Sequence, residues 1–250
     1  LREAPAERVG RIVSVIGARG GAGASVFAGA LGVAAAGSGR RSLLVDCDPL
    51  GSGLDVLFGL EDVGGLRWPD LTLTTGRIAA SALHEALVSA PGPRGELTLL
   101  SGARSGSGPT ETALHPVLDT SKRAGDLVVC DLPRSVTGPA AVAIGQSDLV
   151  VVLVPAEVRA CGCARRLTAE LAQLGASIAV VVRGPAPGGL RASDIAAALD
   201  LPPVAVMRPE PGLDRRLEQG RFGTTFRGPL IAAARQVLAH VDAPLELGVR

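Results

Sequence analysis

Arg11 to Ser25 reads R-I-V-S-V-I-G-A-R-G-G-A-G-A-S. Ile12 to Ile16 is a short apolar run of the kind that forms a buried strand. Glycines follow at Gly17, Gly20, Gly21 and Gly23, and the alanine-rich segment Ala24 to Ala36 reads as a helix. Strand, glycine turn and helix in that order is the setting of a phosphate-binding loop. Glycines let the backbone turn several N–H groups toward one anion, and the helix N-terminus adds partial positive charge at the same point. Ser25 stands where a hydroxyl would ligate Mg²⁺. The pattern is incomplete, however. The general loop is G-x-x-x-x-G-K-[ST], whereas Ala18 holds the leading glycine position and Ala24 the lysine position. The one lysine of the chain is Lys122, so none reaches a phosphate from this loop. Taken alone, Gly20, Gly21 and Gly23 also suit an ordinary strand-to-helix turn.

Outward from this stretch, apolar runs and helical periodicities alternate. Strands are expected at Ser42–Asp46, Glu96–Leu100, Asp126–Asp131, Asp148–Val154, Ile178–Val182 and Val204–Met207. Helices are expected at Leu54–Leu60, at Arg77–Ser89, after a Thr110 cap, at Pro139–Gln146, at Glu157–Leu174, behind Ser193 and Asp194 to Leu199, at Gly212–Gln219 and at Pro229–Val241. Glu61 to Thr75, Ala103 to Pro109 and Gly184 to Gly189 read as loops. Alternating strands and helices specify an α/β fold: a doubly wound, mainly parallel sheet with helices on both faces. Strands covered on both faces read as unbroken Val/Leu runs, as these do. Ligands of such sheets bind beyond the carboxyl ends of the strands, where the glycine loop, Asp46 and Asp131 all fall.

Composition excludes several classes. The 250 residues are 47% hydrophobic, enough for a large core, and the net charge of +1 exerts no general pull on nucleic acid or acidic membrane. No apolar run approaches the ~18 residues needed to span a bilayer. Cys47 and Cys130 lie in or beside apolar strands and read as core. Cys161 and Cys163 form C-x-C, with no second Cys/His pair at metal-site spacing. This usage fits a reducing cytoplasm. His84, His115 and His240 are scattered over helices or surface. The expected organisation is a linker remnant at 1–10, one domain over 11–242 and a tail at 243–250. Since the chain opens on Leu1, a domain cut from a longer protein is expected.

Asp46 and Asp48 form D-x-D after one strand, and Asp131 closes another. Each is also at home in a solvated turn or as a cap. Two carboxylates beside a phosphate loop suit Mg²⁺ contacts and the orientation of an attacking water.

Together, A-R-G-G-A-G-A-S, L-L-V-D-C-D-P and L-V-V-C-D-L-P resemble the deviant Walker A ATPases of the ParA/MinD type, over about Ile12 to Val241. The resemblance implies ATP and Mg²⁺ as cofactors. It places Arg19 at the signature position that reaches across a nucleotide-sandwiched dimer and Ala24 at the usual lysine. Gly20, Gly21, Ala22, Gly23 and Ser25 become the phosphate cradle. Asp46 and Asp48 match the switch I aspartates, with Asp48 orienting water, and Ser25 with Asp131 matches the Mg²⁺ pair. Pro209, in V-A-V-M-R-P-E-P, falls where the family places adenine contacts. The alanine at 24 and G-L-R-W-P-D-L at Gly65 to Leu71 are most similar to the CpaE/TadZ branch and its actinobacterial septum-site-determining members. That branch implies a missing N-terminal receiver-like domain, a homodimer, and pilus, secretion or division proteins as partners. A cytoplasmic protein recruited to pole or septum follows, with weak or absent hydrolysis. Two other readings stay open: a nucleotide-free protein scaffold, and a DNA-partition ATPase with Arg215, Arg216, Arg221 and Arg227 as a nonspecific DNA patch, although a solvated helix face accounts for them too.

Overall fold

Among the described residues eight strands form one sheet, in the order β3 (Val88–Ala90), β4 (Leu97–Leu100), β2 (Ser42–Asp46), β5 (Leu127–Asp131), β1 (Arg11–Gly17), β6 (Leu149–Pro155), β7 (Ile178–Arg183), β8 (Pro203–Met207), parallel except for β3. The computed structural model describes residues 9–71, 79–90, 94–104, 108–224 and 227–243. Residues 1–8 of the linker expected at 1–10, residues 244–250 of the tail expected at 243–250, the loop residues 72–75 and 105–107, and the start of the expected helix at 77–78 lie outside the described residues. The helices are α1 (Ala24–Gly37), α2 (Leu54–Phe58), α3 (Ala80–Ala86), α4 (Glu111–Arg123), α5 (Pro139–Gln146), α6 (Val158–Gln173), α7 (Ala192–Leu199), α8 (Leu213–Glu218) and α9 (Pro229–Asp242).

The sheet is covered on both faces. Val13, Val15, Leu44, Val129 and Leu153 face a core shared with α1, α2 and α9. Ile12, Ile16, Val45, Val128 and Val152 face a second core shared with helices α3 to α7. Along the inner strands side chains alternate between the two cores, because successive residues of a strand point to opposite faces. All seven residues of β6 are buried. The small side chains of α1 let it sit deep against the sheet, buried from Phe27 to Ala36.

Three local readings are corrected. The helix expected over Arg77–Ser89 ends at Ala86, and Val88 to Ala90 is an edge strand antiparallel to β4. Three residues with Val88 and Ala90 inward are too few to break a helical apolar pattern. Ser193 and Asp194 do not cap α7 from outside. Arg191 is its N-cap, and the Asp194 carboxylate, one turn in, accepts the Arg191 amide at 2.9 Å. Glu61 to Leu71 is more ordered than a plain loop, since Trp68–Asp70 forms a 3₁₀ turn. By contrast, the Thr110 cap stands as expected, its Oγ1 accepting the Ala113 amide at 3.2 Å, and α4 continues through Pro116.

Cys47 and Cys130 are buried, as read, and all four cysteines are free. His84 lies on α3 but is buried. Its Nε2 is 2.9 Å from Asp126 Oδ2, its Nδ1 2.6 Å from Thr98 Oγ1, and Asp126 Oδ1 also accepts Arg41 Nε at 2.6 Å. That network sits at the amino-terminal ends of the strands, away from the glycine loop.

Candidate functional site

The loop leaves β1 at the centre of the sheet. The Ala18 amide donates to Leu153 O at 3.0 Å, the Ala22 amide to Arg19 O at 3.2 Å, and the Phe27 amide to Gly23 O at 2.9 Å, which opens α1. Gly21 and Gly23 hold φ of 70° and 91°, left-handed values that a residue with Cβ adopts only under strain. No side chain caps α1, and its first turn holds no acidic residue. Its first amides therefore have no acceptor among the described residues, at the positive end of a 14-residue helix. Gly20, Gly21 and Ser25 are exposed, Ala24 is half-buried and Ala22 is buried.

The two strand-end aspartates meet here. β2 and β5 are parallel neighbours with Asp46 in register with Asp131. Asp46 is 3% exposed, and its oxygens accept the amides of Asp48 at 3.0 Å and Gly102 at 3.3 Å. Burial nevertheless pushes its pKa up to about 6. Asp131 is 4% exposed. Burial raises it to about 7, although a hydrogen bond with Ser25 pulls the other way, and the charges of Asp46 and Asp48 add to the rise. Asp131 Oδ1 is buried and has no hydrogen-bond partner among the described residues. An orphaned carboxylate oxygen beside a serine hydroxyl, among further carboxylates, fits a divalent cation. Among the described residues no three His, Cys, Asp or Glu side chains form a metal cage, and Mg²⁺ in phosphate sites is held by one or two protein oxygens together with the phosphates.

Ser25, Asp46, Asp48 and Asp131 line one cavity of about 620 Å³, which Leu217 to Gly220 also line. Asp48 Oδ1 accepts the Leu50 amide at 2.9 Å, which orients that carboxylate on its turn. Pro209 lines a second cavity of about 360 Å³ with Gly23, Val26, Arg183, Met207 and Leu213. Both cavities therefore open beside the start of α1. Arg19 points elsewhere. Its Nη2 donates to both carboxylate oxygens of Glu157, at 2.7 and 2.9 Å, and its Nη1 to Gly20 O at 2.7 Å. Of the four arginines of the expected DNA patch, Arg216 pairs with Glu210 at 3.0 Å and Arg221 also has a partner.

Sequence reading missed the work of Arg67 and Trp68. The Trp68 indole donates to the main-chain oxygen of Asp46 at 2.6 Å. Arg67 Nε donates to Asp55 Oδ2 at 2.7 Å, and its remaining donors reach the carbonyls of Leu60, Glu61, Val63 and Gly65. Ser101 Oγ donates to Asp55 Oδ1 at 2.8 Å. The motif thus ties residues 60–71 over the carboxyl ends of β2 and β4. Its signal was present as an isolated tryptophan and arginine in an otherwise aperiodic stretch. Arg183 was also missed; a charge immediately after the apolar run of β7 was its only mark.

No protein-family profile matches the chain. Two proteins described as uncharacterised, from two strains of Mycobacterium tuberculosis, are 46% identical over 229 residues, 92% of this chain and 63% of theirs. The chain thus spans less than two thirds of the length of the curated relatives it matches. A ParA family ATPase from Chlorobium tepidum superposes with a TM-score of 0.71 at 13% identity, covering 94% of this chain and 99% of that one. A chain of the MinC:MinD cell division protein complex from Aquifex aeolicus gives 0.73 at 22%, covering 94% and 98%. The septum site-determining protein MinD complexed with Mg-ADP, from Pyrococcus horikoshii, gives 0.68 at 18%, covering 94% and 100%. The chain has the P-loop NTPase fold of the MinD and ParA ATPases.

Proposed function

We propose that this chain, sharing its fold with MinD and ParA ATPases, binds ATP with Mg²⁺ and works as a dimeric positioning or regulatory protein of the CpaE/TadZ kind. One observation carries the nucleotide reading. The buried, unpartnered Oδ1 of Asp131 lies beside Ser25 at a glycine loop whose helix no side chain caps. The loop amides would cradle phosphates, Ser25 and Asp131 would hold the cation, and the cavity at Pro209 would take the base. Bound Mg²⁺ would neutralise charge on the phosphate oxygens. The solved MinD with Mg-ADP and the MinC:MinD complex support nucleotide and protein partners by analogy of fold. In this reading partner proteins recruit it to a pole or septum; no helix among the described residues is long and apolar enough to cross a membrane.

Turnover is weak or absent in this reading. Phosphoryl transfer depends on charge stabilisation and on a positioned nucleophile. Asp48 would orient a water, yet Ala24 brings no charge to the loop. Calorimetry with ATP-Mg²⁺ and ADP-Mg²⁺ tests the site. We expect binding, and a loss of about tenfold or more in Gly21→Val, whose left-handed backbone a branched side chain strains by about 1–3 kcal/mol. No binding at millimolar nucleotide would leave the protein scaffold reading. Salt-dependent retention on nonspecific DNA would instead select the partition reading.

A further inference from the structure

Ala24 leaves the loop without its usual cation, and Arg19 is taken up by Glu157. Lys122, the chain's single lysine, is paired with Asp148 at 2.9 Å, at the other end of the sheet. Among the described residues a further cation lies against the loop. Arg183 ends β7, and its Nη1 donates to Ala22 O at 2.9 Å. The same nitrogen is 2.9 Å from where a Cβ on Gly23 would stand, so glycine at 23 makes room for the guanidinium as well as for the turn. Arg183 is half-buried and borders the 360 Å³ cavity with Gly23 and Pro209.

No carboxylate among the described residues bonds to Arg183. Two carboxylates do line its cavity. Glu210 is held by Arg216 at 3.0 Å and by the Leu230 amide at 3.0 Å, and Asp214 stands on an exposed face of α8. A guanidinium whose one bond among the described residues is to a carbonyl keeps most of its five donors free for a ligand. Guanidinium geometry matches phosphate oxygens in pairs.

We propose that Arg183 supplies, from the same chain and from the cavity side of the loop, the positive charge toward a nucleotide's phosphates that position 24 lacks. This rests on the nucleotide reading of the site. It makes Arg183 a ligand-binding residue and ties phosphate affinity to the end of β7.

The test is calorimetry of the parent, Arg183→Ala, Arg183→Lys, Ala24→Lys and the double variant with ADP-Mg²⁺, with inorganic pyrophosphate as a base-free competitor. Thermal unfolding of each variant checks its fold. We expect Arg183→Ala to weaken both ADP and pyrophosphate by about tenfold or more, and Arg183→Lys to recover part of the loss. The loss should shrink in the Ala24→Lys background, because two cations that serve one anion are not additive. Unchanged ADP affinity in Arg183→Ala, a loss for ADP with none for pyrophosphate, or an undiminished loss in the Ala24→Lys background would each overturn the assignment alone. A parent that binds neither ADP nor pyrophosphate would overturn the nucleotide reading and this assignment with it.

Discussion

At Asp131 a carboxylate lies buried with one oxygen unpartnered, a state that costs free energy unless a proton or a cation takes it up. Its folded pKa of about 7 is above the ordinary 3.8. A raised carboxylate pKa means stability that is full below the unfolded value and is lost as pH rises through the folded one. Ligand-free protein should therefore weaken between about pH 4 and 7. Asp131→Asn removes the buried charge and should raise stability at pH 8 on the order of 2 kcal/mol, with little effect near pH 4, by denaturant unfolding. A variant weaker than the parent at pH 8 would show that the carboxylate is already paired. Position 24 gives the converse test. Ala24→Lys adds one charged donor, worth on the order of 3 kcal/mol in a transition state, or roughly a hundredfold in rate. The gain in phosphate release should vanish again with Asp48→Ala; brisk turnover by the parent, insensitive to Asp48, would contradict the roles given to both residues.

The segment from Leu60 to Leu71 has no helical or strand periodicity, yet it is ordered, because Arg67 satisfies four carbonyls and a buried carboxylate at once. Trp68 joins it to β2 through the main-chain oxygen of Asp46. Trp68→Phe keeps the apolar ring and deletes the donor, leaving a buried carbonyl short of a partner. A cost of about 1–3 kcal/mol in denaturant unfolding follows. Nucleotide affinity should fall with it if the segment holds Asp46 in place. Unchanged stability would mean that packing of the ring alone secures the segment. Elsewhere the elements follow local chemistry. Strands are unbroken apolar runs, and Thr110 opens α4 as a capping residue does. The edge strand β3 escaped notice because its three residues are decided by pairing with β4.

At the scale of the whole molecule, Arg19 sets a condition on any dimer. Within one chain its guanidinium grips Glu157 at the start of α6, so reaching a partner's nucleotide requires giving up that pair. Both side chains are about one-third exposed, and such pairs hold within about 1 kcal/mol. The exchange is thus affordable once phosphates offer a second anion. Arg19→Ala should reduce ATP-stimulated dimerisation, read by light scattering, while leaving the unfolding midpoint of the monomer nearly unchanged. A dimer equally strong without nucleotide and without Arg19 would contradict a cross-subunit role.

The sequence by itself determined the alternation of strands and helices, the doubly wound class, the glycine loop and the strand-end positions of Asp46 and Asp131. Each of these is written in residues close together in the chain, through apolar runs, turn glycines and caps. Only the tertiary structure decided that Asp46 and Asp131 lie in register, that Trp68 donates to Asp46, that Arg19 turns to Glu157 and that Arg183 reaches Ala22. The reason is physical. An apolar strand buried on both faces can pair with any similar strand, so which carboxyl ends become neighbours depends on crossover direction and on helix packing over the whole sheet.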